Sequence, residues 1–383
     1  MSSQVQNRLG FKVRLSKERL VEGLQLVHPV VPKSNIDYVV NGNALLSVGS
    51  DGKCFLCATD YTSYIRCFLE DSEHEGHGKA LIPVTELQGL LKEMDEAFID
   101  LRFENDSVHI DSVRGSFVLK TESADAFPDQ QDISTETMVE LDAQVFATNL
   151  DKSSIATSSE EGHYAFDSIL IEKKGTSLSI VSTDGRRMAL AEMKVSKKGG
   201  DLHALLSPRV VSHVKRLSLK SSGSIRFGVS GNRAVFDVEH AELQSTIREQ
   251  GVFPEYRKLL PEKSKGNCFL SRRQLLSASR SLLCILSNHS KSVRFVLGKD
   301  QMELVYEGSS THQGAISVDV ESVGSDNDIT FNLEYVLDGL QVMEGERITL
   351  HLNSQQAPVL WEDENDFRYI LAPVFVSGSE VGS

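Results

Sequence analysis

Residues 178–190 read Leu-Ser-Ile-Val-Ser-Thr-Asp-Gly-Arg-Arg-Met-Ala-Leu, and their pattern decides how the rest of the chain is parsed. Leu178 and Ile180 alternate with serines up to the pair Asp184-Gly185, and Met188 and Leu190 resume the alternation on the far side. An Asp-Gly pair between two alternating runs is the strongest short-range hairpin signal. It predicts a turn centred on those two residues, with positive φ at both. The turn is heavily loaded, because Arg186 and Arg187 follow at once in a chain of formal net charge −14. A hydroxyl, bare glycine backbone and two guanidinium groups make either a solvated hairpin end or the rim of a binding site, and the local sequence leaves both open.

Working outward, the hairpin has a counterpart. Ala58-Thr59-Asp60 lies 124 residues before Ser182-Thr183-Asp184, and a further 124 residues lead to Leu304-Val305-Tyr306-Glu307-Gly308, again a strand entering a turn. Phe127-Pro128 recurs 126 residues later as Phe253-Pro254, and Tyr369-Ile370-Leu371 before Pro373 stands in the corresponding place near the end. Helical spacing of apolar residues repeats in phase. One set comprises 83–94, 207–217 and 332–343; the other comprises 16–27, 142–154 and 271–286, with Ser16, Asp142 and Ser271 as N-caps. The chain therefore reads as three copies of one α+β unit with antiparallel strands, over 9–132, 133–262 and 263–377. Residues 1–8 and 378–383 read as disordered tails.

Composition removes several classes. Of 383 residues, 40% are hydrophobic and 25% charged, an ordinary globular mixture. No apolar run is long enough for a membrane span, and Met1–Lys12 has no signal-peptide pattern, so a soluble cytoplasmic protein is expected. Five scattered cysteines imply no disulfide framework, and Cys54-x-x-Cys57 lies in an apolar strand-like run without a second pair, so no metal or other cofactor is predicted. No phosphate-binding loop, dinucleotide fingerprint or nucleophile elbow is present. A triple of His163, Asp184 and a serine is no more than a chain of this length offers by chance, and Glu362–Asp366 reads as a solvated hairpin turn rather than a calcium loop. A non-enzymatic protein is expected.

The charge is segregated. Residues 207–220 carry Arg209, Lys215, Arg216 and Lys220 with no acid, and 271–287 carry Arg272, Arg273 and Arg280 with no acid. Together they hold +7, leaving −21 on the remainder. On 207–220 the apolar stripe is Val210, Val211, Val214 and Leu217, which leaves the cations on other faces. Two basic helices in equivalent units can be solvated faces or phosphate contacts. Without interleaved aromatics, base stacking is not expected.

The three-unit organisation, together with STDGRRMAL (182–190), GVFPEYRKLLPE (251–262), ADAFPD (124–129), ILSN (285–288) and FNLEYVLDGL (331–340), resembles the family of bacterial DNA sliding clamps, the beta subunits of DNA polymerase III. The resemblance covers residues 9 to 376. It implies a head-to-tail homodimer closed into a ring, with helices lining the hole and antiparallel sheets outside. Double-stranded DNA would be held topologically and without sequence preference. Short linear peptides would bring the DNA polymerase III alpha subunit, the clamp loader, other polymerases and repair proteins to a groove, raising their effective concentration at the primer end. Carried over by position, the groove comprises Phe166, Thr183, Gly185, Arg186, Arg187, Met188, Pro254, Lys258, Leu259, Asn332, Tyr335, Ile370, Ala372, Pro373 and Val374. The DNA-facing set is Lys33, Arg209, Lys215, Arg216, Lys220, Arg272, Arg273 and Arg280. The dimer contact pairs Phe117 and Leu119 with Ile285 and Leu286. The chain departs from the family at Arg186, where histidine is common, at Ala372–Phe375, after Asn288, and at Glu160-Glu161, which would repel phosphate. A clamp-like scaffold that binds peptides without encircling DNA is the alternative from another class.

Overall fold

The cap residues and apolar spacings build one block three times. A computed structural model describes residues 10–32, 40–104, 106–130, 133, 138–158, 166–249, 253–261, 264–286, 291–308, 312–323 and 327–375. Lys33, Glu160-Glu161, His163, Asn288 and the two tails lie outside the described residues. Six α-helices are present among the described residues: α1 (Lys17–Val27), α2 (Val84–Glu93), α3 (Ala143–Ser153), α4 (Pro208–Lys220), α5 (Arg272–Leu283) and α6 (Leu333–Val342). The first N–H of each block's first helix meets the loop after that block's second helix. The three bonds are Lys17 to Ala97 (2.9 Å), Ala143 to Gly223 (3.0 Å) and Arg272 to Glu346 (2.9 Å). Asp142 accepts from Val145 N–H at 2.8 Å and Ser271 from Gln274 N–H at 3.4 Å, as N-caps do. Ser16 holds the cap position but makes no side-chain cap bond.

The sheets are antiparallel, with five, eight and twelve strands. The chain forms two compact units, Met1–Ala147 with Arg209–Ile247, and Thr148–Pro208 with Arg248–Ser383, so the middle block is divided between them. The first unit holds the five- and eight-stranded sheets. In the latter, strand Ser63–Phe68 pairs with Ala241–Thr246, joining first-block to second-block sequence. Its core includes Phe227 stacked on Phe236 at 4.8 Å, with Phe146 beyond at 6.4 Å. The second unit holds the twelve-stranded sheet, where Arg187–Lys194 pairs with Arg368–Leu371 and joins second-block to third-block sequence. Trp361, Phe295 and Phe331 meet edge-on in its core.

The opening hairpin forms between Ser177–Thr183 and Arg187–Lys194, but its turn is displaced by one residue from the expected one. Positive φ falls on Gly185 (83°) and not on Asp184. The turn is therefore centred on Gly185-Arg186, the form with glycine at the first central position. The cause is local. The Asp184 carboxylate accepts the N–H groups of Arg186 and Arg187, each at 2.9 Å, and so belongs at the start of the turn rather than at its tip. Glu362–Asp366 also differs from a solvated turn. Asp363 is buried and accepts N–H bonds from Glu344, Asn365 and Phe367.

Candidate partner groove, basic helices and chain edges

Thr183 sets the hairpin end. Its hydroxyl donates to Arg187 O at 2.7 Å and accepts from Gly185 N–H at 3.1 Å. A Cβ on Gly185 would stand 3.5 Å from the Phe166 ring, so glycine here serves the positive φ more than a close approach. Arg186 is exposed, and its carbonyl takes Ala372 N–H at 2.9 Å, tying the turn to the chain's last strand. Arg187 stands over the Tyr335 ring, its Cζ 4.1 Å from the centroid, with Nε 3.0 Å from Asp184 and Nη1 2.6 Å from Asp338. Burial would favour its neutral form, but Tyr369, Asp338 and Asp184 outweigh that and hold the guanidinium above its ordinary value. With its side chain only 10% exposed, Arg187 pins the hairpin to α6.

Met188 is opposite Ile370 and joins a buried cluster of Leu170, Val181, Leu190, Leu205, Tyr256 and Leu360, with Phe253 and Leu260 packed against it. Of this apolar cluster, Met188 and Ile370 are expected groove residues and the other members were missed from sequence, although those on strands alternate with their neighbours. The stretch after Pro254 is a short 3₁₀ turn, Tyr256–Leu259, held down by its buried face. Tyr256 donates to Glu172 at 2.9 Å, and Arg257 reaches Ser179 at 3.1 Å. Burial pushes the Tyr256 hydroxyl up to about 12. Leu259 (52% exposed) and Lys258, paired with Glu255, are left on the outside. Asn332 caps α6 through Glu334 N–H at 3.0 Å. Pro373 is half-buried and Val374, whose N–H meets Thr330 O at 2.8 Å, leads to the exposed Phe375. The structure therefore brings the expected groove residues into one unit, with Thr183, Met188 and Ile370 buried and Arg186, Lys258, Leu259 and Val374 exposed.

The basic helices divide their cations. On α4, Val210, Val211, Val214 and Leu217 are buried as the stripe requires, and Arg209, Arg216 and Lys220 are exposed with Lys215 half-buried. Arg209 is 3.2 Å from Asp60, and Lys220 is 3.4 Å from Gln25. On α5, Arg273 and Arg280 are exposed, whereas Arg272 donates to the carbonyls of Leu340 and Gln341 (2.8 and 3.3 Å) at the end of α6. Those carbonyls lack helical partners, so Arg272 is a C-terminal cap.

Among the open strand edges of the described residues, two carry the expected dimer-contact residues or lie beside them. Gly115–Lys120 pairs only with Ser107–Ser112, and it exposes Phe117 (37%) and Val118 (58%), with Leu119 half-buried. Strand Gln313–Val323 pairs with Gln301–Glu307 over 313–319 and with Gly266–Ser271 only beyond that, over 320–323. Ile285 and Leu286 pack half-buried on the second unit's core, and a Cβ on Gly314 would stand 2.6 Å from Ile285.

Three family models match in order: DNA polymerase III beta subunit, N-terminal domain at 11–131, central domain at 140–255 and C-terminal domain at 257–374. The chain belongs to the DNA polymerase III beta-subunit family. It is 26% identical over 372 residues to the beta sliding clamp of Pseudomonas putida, covering 94% of this chain and 98% of that one. It is likewise 26% identical over 373 residues to that of Vibrio cholerae, covering 95% and 99%. Among solved structures, the beta subunit of Thermotoga maritima superposes with a TM-score of 0.89 at 23% identity, and the sliding clamp of Bacillus subtilis with 0.90 at 17%. Each comparison covers 96% of this chain and all of the other. The three repeated blocks are thus the three domains of a beta subunit, and the fold is α+β.

Within that family frame, no helix among the described residues is long and apolar enough to cross a membrane. Among the described residues no group of three His, Cys, Asp or Glu side chains is placed to hold a metal ion. Cys54, Cys57, Cys67 and Cys268 are buried free thiols, and burial pushes Cys57 up to about 11 and Cys54 up to about 12.

Proposed function

We propose that this chain works as a DNA sliding clamp, a homodimeric ring of three-domain copies (9–132, 133–262, 263–377) joined head to tail. One observation carries the ring. Inside the chain, the same junction occurs twice: Ser63–Phe68 with Ala241–Thr246, and Arg187–Lys194 with Arg368–Leu371. In the repeat, the first partner's third counterpart is Gln313–Val323, and the second partner's is Gly115–Lys120. Both of these strands have an open side among the described residues: Gly115–Lys120 ends its sheet, and Gln313–Val323 has one partner over 313–319. A chain that makes two such junctions and keeps one half-junction at each end completes the third with another copy, and two copies that do so twice close a ring.

The repeat also supplies a register. Leu243 is opposite Ile65 and Tyr369 opposite Ala189, which sets Phe117 of one copy opposite Gly314 of the other. Gly314 has no side chain to obstruct the ring, and beneath it lie Ile285 and Leu282. Phe117 and Leu119 then bury against Ile285 and Leu286, covering an otherwise adhesive edge.

DNA contact in this reading is electrostatic and weak. Of the seven cations on α4 and α5, Arg209, Lys215, Lys220 and Arg272 already have partners in the chain. Such sparse phosphate contact suits a ring that must move, because topology rather than affinity retains it. The groove around Met188 and Ile370 takes apolar anchors of a short peptide, with Arg186 and Lys258 at the polar rim. This supports tethering of the polymerase alpha subunit, the clamp loader and other replication and repair proteins in the cytoplasm, with no chemistry of its own. The test is retention on DNA. Loaded onto nicked circular duplex, the protein stays bound and is lost on linearisation. Equal retention on both forms refutes encirclement and leaves a peptide-binding scaffold.

A further inference from the structure

Each internal junction carries a polar contact between a first helix and the end of a second helix. In the first unit, Gln25 of α1 meets Lys220 of α4 at 3.4 Å. In the second, Lys152 of α3 meets Glu344, just past α6, at 2.9 Å. The hydrogen bonds of Lys17, Ala143 and Arg272 N–H to the carbonyls of Ala97, Gly223 and Glu346 fix the equivalences on both sides. Counting from them, Arg280 of α5 stands where Gln25 and Asp151 stand, and Ser281 where Lys152 stands. Likewise Asp95 stands where Glu344 stands, with Glu93 and Glu96 beside it at the end of α2.

We infer that Arg280 is an interface residue, pairing with the acidic end of α2 (Glu93, Asp95 and Glu96) of a second copy, rather than a DNA contact. The inference rests on the head-to-tail self-association proposed above. The polarity matches the second internal junction, with a cation on the first helix and an anion after the second. Arg280 is exposed, and no ion pair engages it among the described residues. Asp95 is held in place by Arg114 at 3.1 Å, and Glu96 by Val113 N–H at 2.7 Å, so the acidic end is already shaped before a partner arrives. Three acids against Arg114 and Lys92, the latter in the last turn of α2, leave it net negative. The partner is therefore a second copy of this chain, and the contact adds orientation to an edge-to-edge strand pairing that apolar residues alone do not align.

Sedimentation equilibrium of the full chain tests this. Arg280→Glu places like charge against the acidic end and raises the dimer dissociation constant by about tenfold or more, the scale on which like-charge juxtaposition acts at interfaces. Combining it with Asp95→Lys and Glu96→Lys restores association towards wild type, which a merely misfolded variant does not do. Raised salt weakens wild type more than Arg280→Gln. An unchanged dissociation constant in Arg280→Glu overturns the assignment of Arg280 and leaves self-association standing. A wild-type chain that stays monomeric at micromolar concentration overturns both. A variant with normal association but a shallower salt dependence of DNA retention returns Arg280 to the DNA-facing set and also refutes the inference.

Discussion

The turns at 59–63 and 183–187 share a backbone frame and differ in what they attach to. In both, a threonine hydroxyl bridges the turn, to Ser63 O in one and Arg187 O in the other, each at 2.7 Å. An aspartate then accepts the two N–H groups that follow the tip. Both also receive an N–H from the last strand of a neighbouring block, Thr246 to Thr62 O and Ala372 to Arg186 O, each at 2.9 Å. The side chains reverse the electrical sense. In the first unit the turn supplies the anion and the helix the cation, Asp60 with Arg209 of α4. In the second the turn supplies the cation and the helix the anion, Arg187 with Asp338 of α6. The helix position held by Asp338 is held in the first unit by His213. A repeated frame fixes where a hairpin end sits; the few non-repeated side chains decide whether it becomes a site.

The largest expected effect comes from removing what is peculiar to the second turn. Arg187→Ala with Met188→Ala takes a buried thioether out of the groove floor and the pin to α6, costing about 2–5 kcal/mol of stability from the methionine alone. Binding of a fluorescent partner peptide weakens sharply while self-association, which uses other strands, persists. The equivalent pair in the first unit, Ser63→Ala with Tyr64→Ala, also destabilises but leaves peptide affinity intact. Equal losses of affinity in the two doubles would erase the functional distinction between the turns.

Next in size is a pH effect confined to the first unit. His213 is 8% exposed, and its Nε2 has no hydrogen-bond partner. Burial foremost, with Arg209 and Arg216 nearby, lowers it to about 4, against the favourable pull of Asp60. Because its folded value lies below the unfolded one, the unfolded chain binds the extra proton first as pH falls. The contribution is complete above about pH 6.5 and is lost progressively towards pH 4, a change of about 3 kcal/mol at most. Amide exchange at pH 7 and pH 4.5 should show the first unit loosening more than the second, and His213→Leu should remove most of that difference. A difference that survives His213→Leu would assign the pH response to other groups.

Much of this was legible in the sequence, and the reasons for the gaps are physical. The capping residues Asp142 and Ser271 and the apolar stripe of α4 each act over one or two helical turns, so local sequence carries them, and the 124-residue spacing is legible because short local motifs recur at it. The displaced turn was not legible, because Asp-Gly reports a preference for positive φ while the carboxylate of Asp184 chooses which residues form the tip. Nor was the fate of individual cations. Arg209 is paired with Asp60, nearly 150 residues away in sequence, and Arg272 donates to carbonyls at the end of α6, partners that only the fold brings near. Arg187 shows the same limit: it reads as a groove wall but spends its guanidinium on Asp184, Asp338 and Tyr335.

The smallest expected effect isolates the backbone frame itself. Gly185 and Tyr61 occupy the same place in the two turns, at φ of 83° and 67°. Glycine pays nothing for that conformation, whereas a residue with a Cβ is strained by roughly 1–2 kcal/mol. Gly185→Ala should therefore destabilise the second unit by about 1 kcal/mol, with little steric contribution because the nearest Phe166 atom lies at ordinary contact distance. Tyr61→Gly at the equivalent position should shift stability the other way, reduced by the extra freedom that glycine gives the unfolded chain and by the contacts of a tyrosine 45% exposed. Opposite signs in denaturant midpoints at unchanged m-values would confirm that one backbone requirement governs both turns. If Tyr61→Gly instead destabilises by more than glycine's chain entropy explains, the tyrosine is retained for its side chain, and the first turn has a contact of its own to account for.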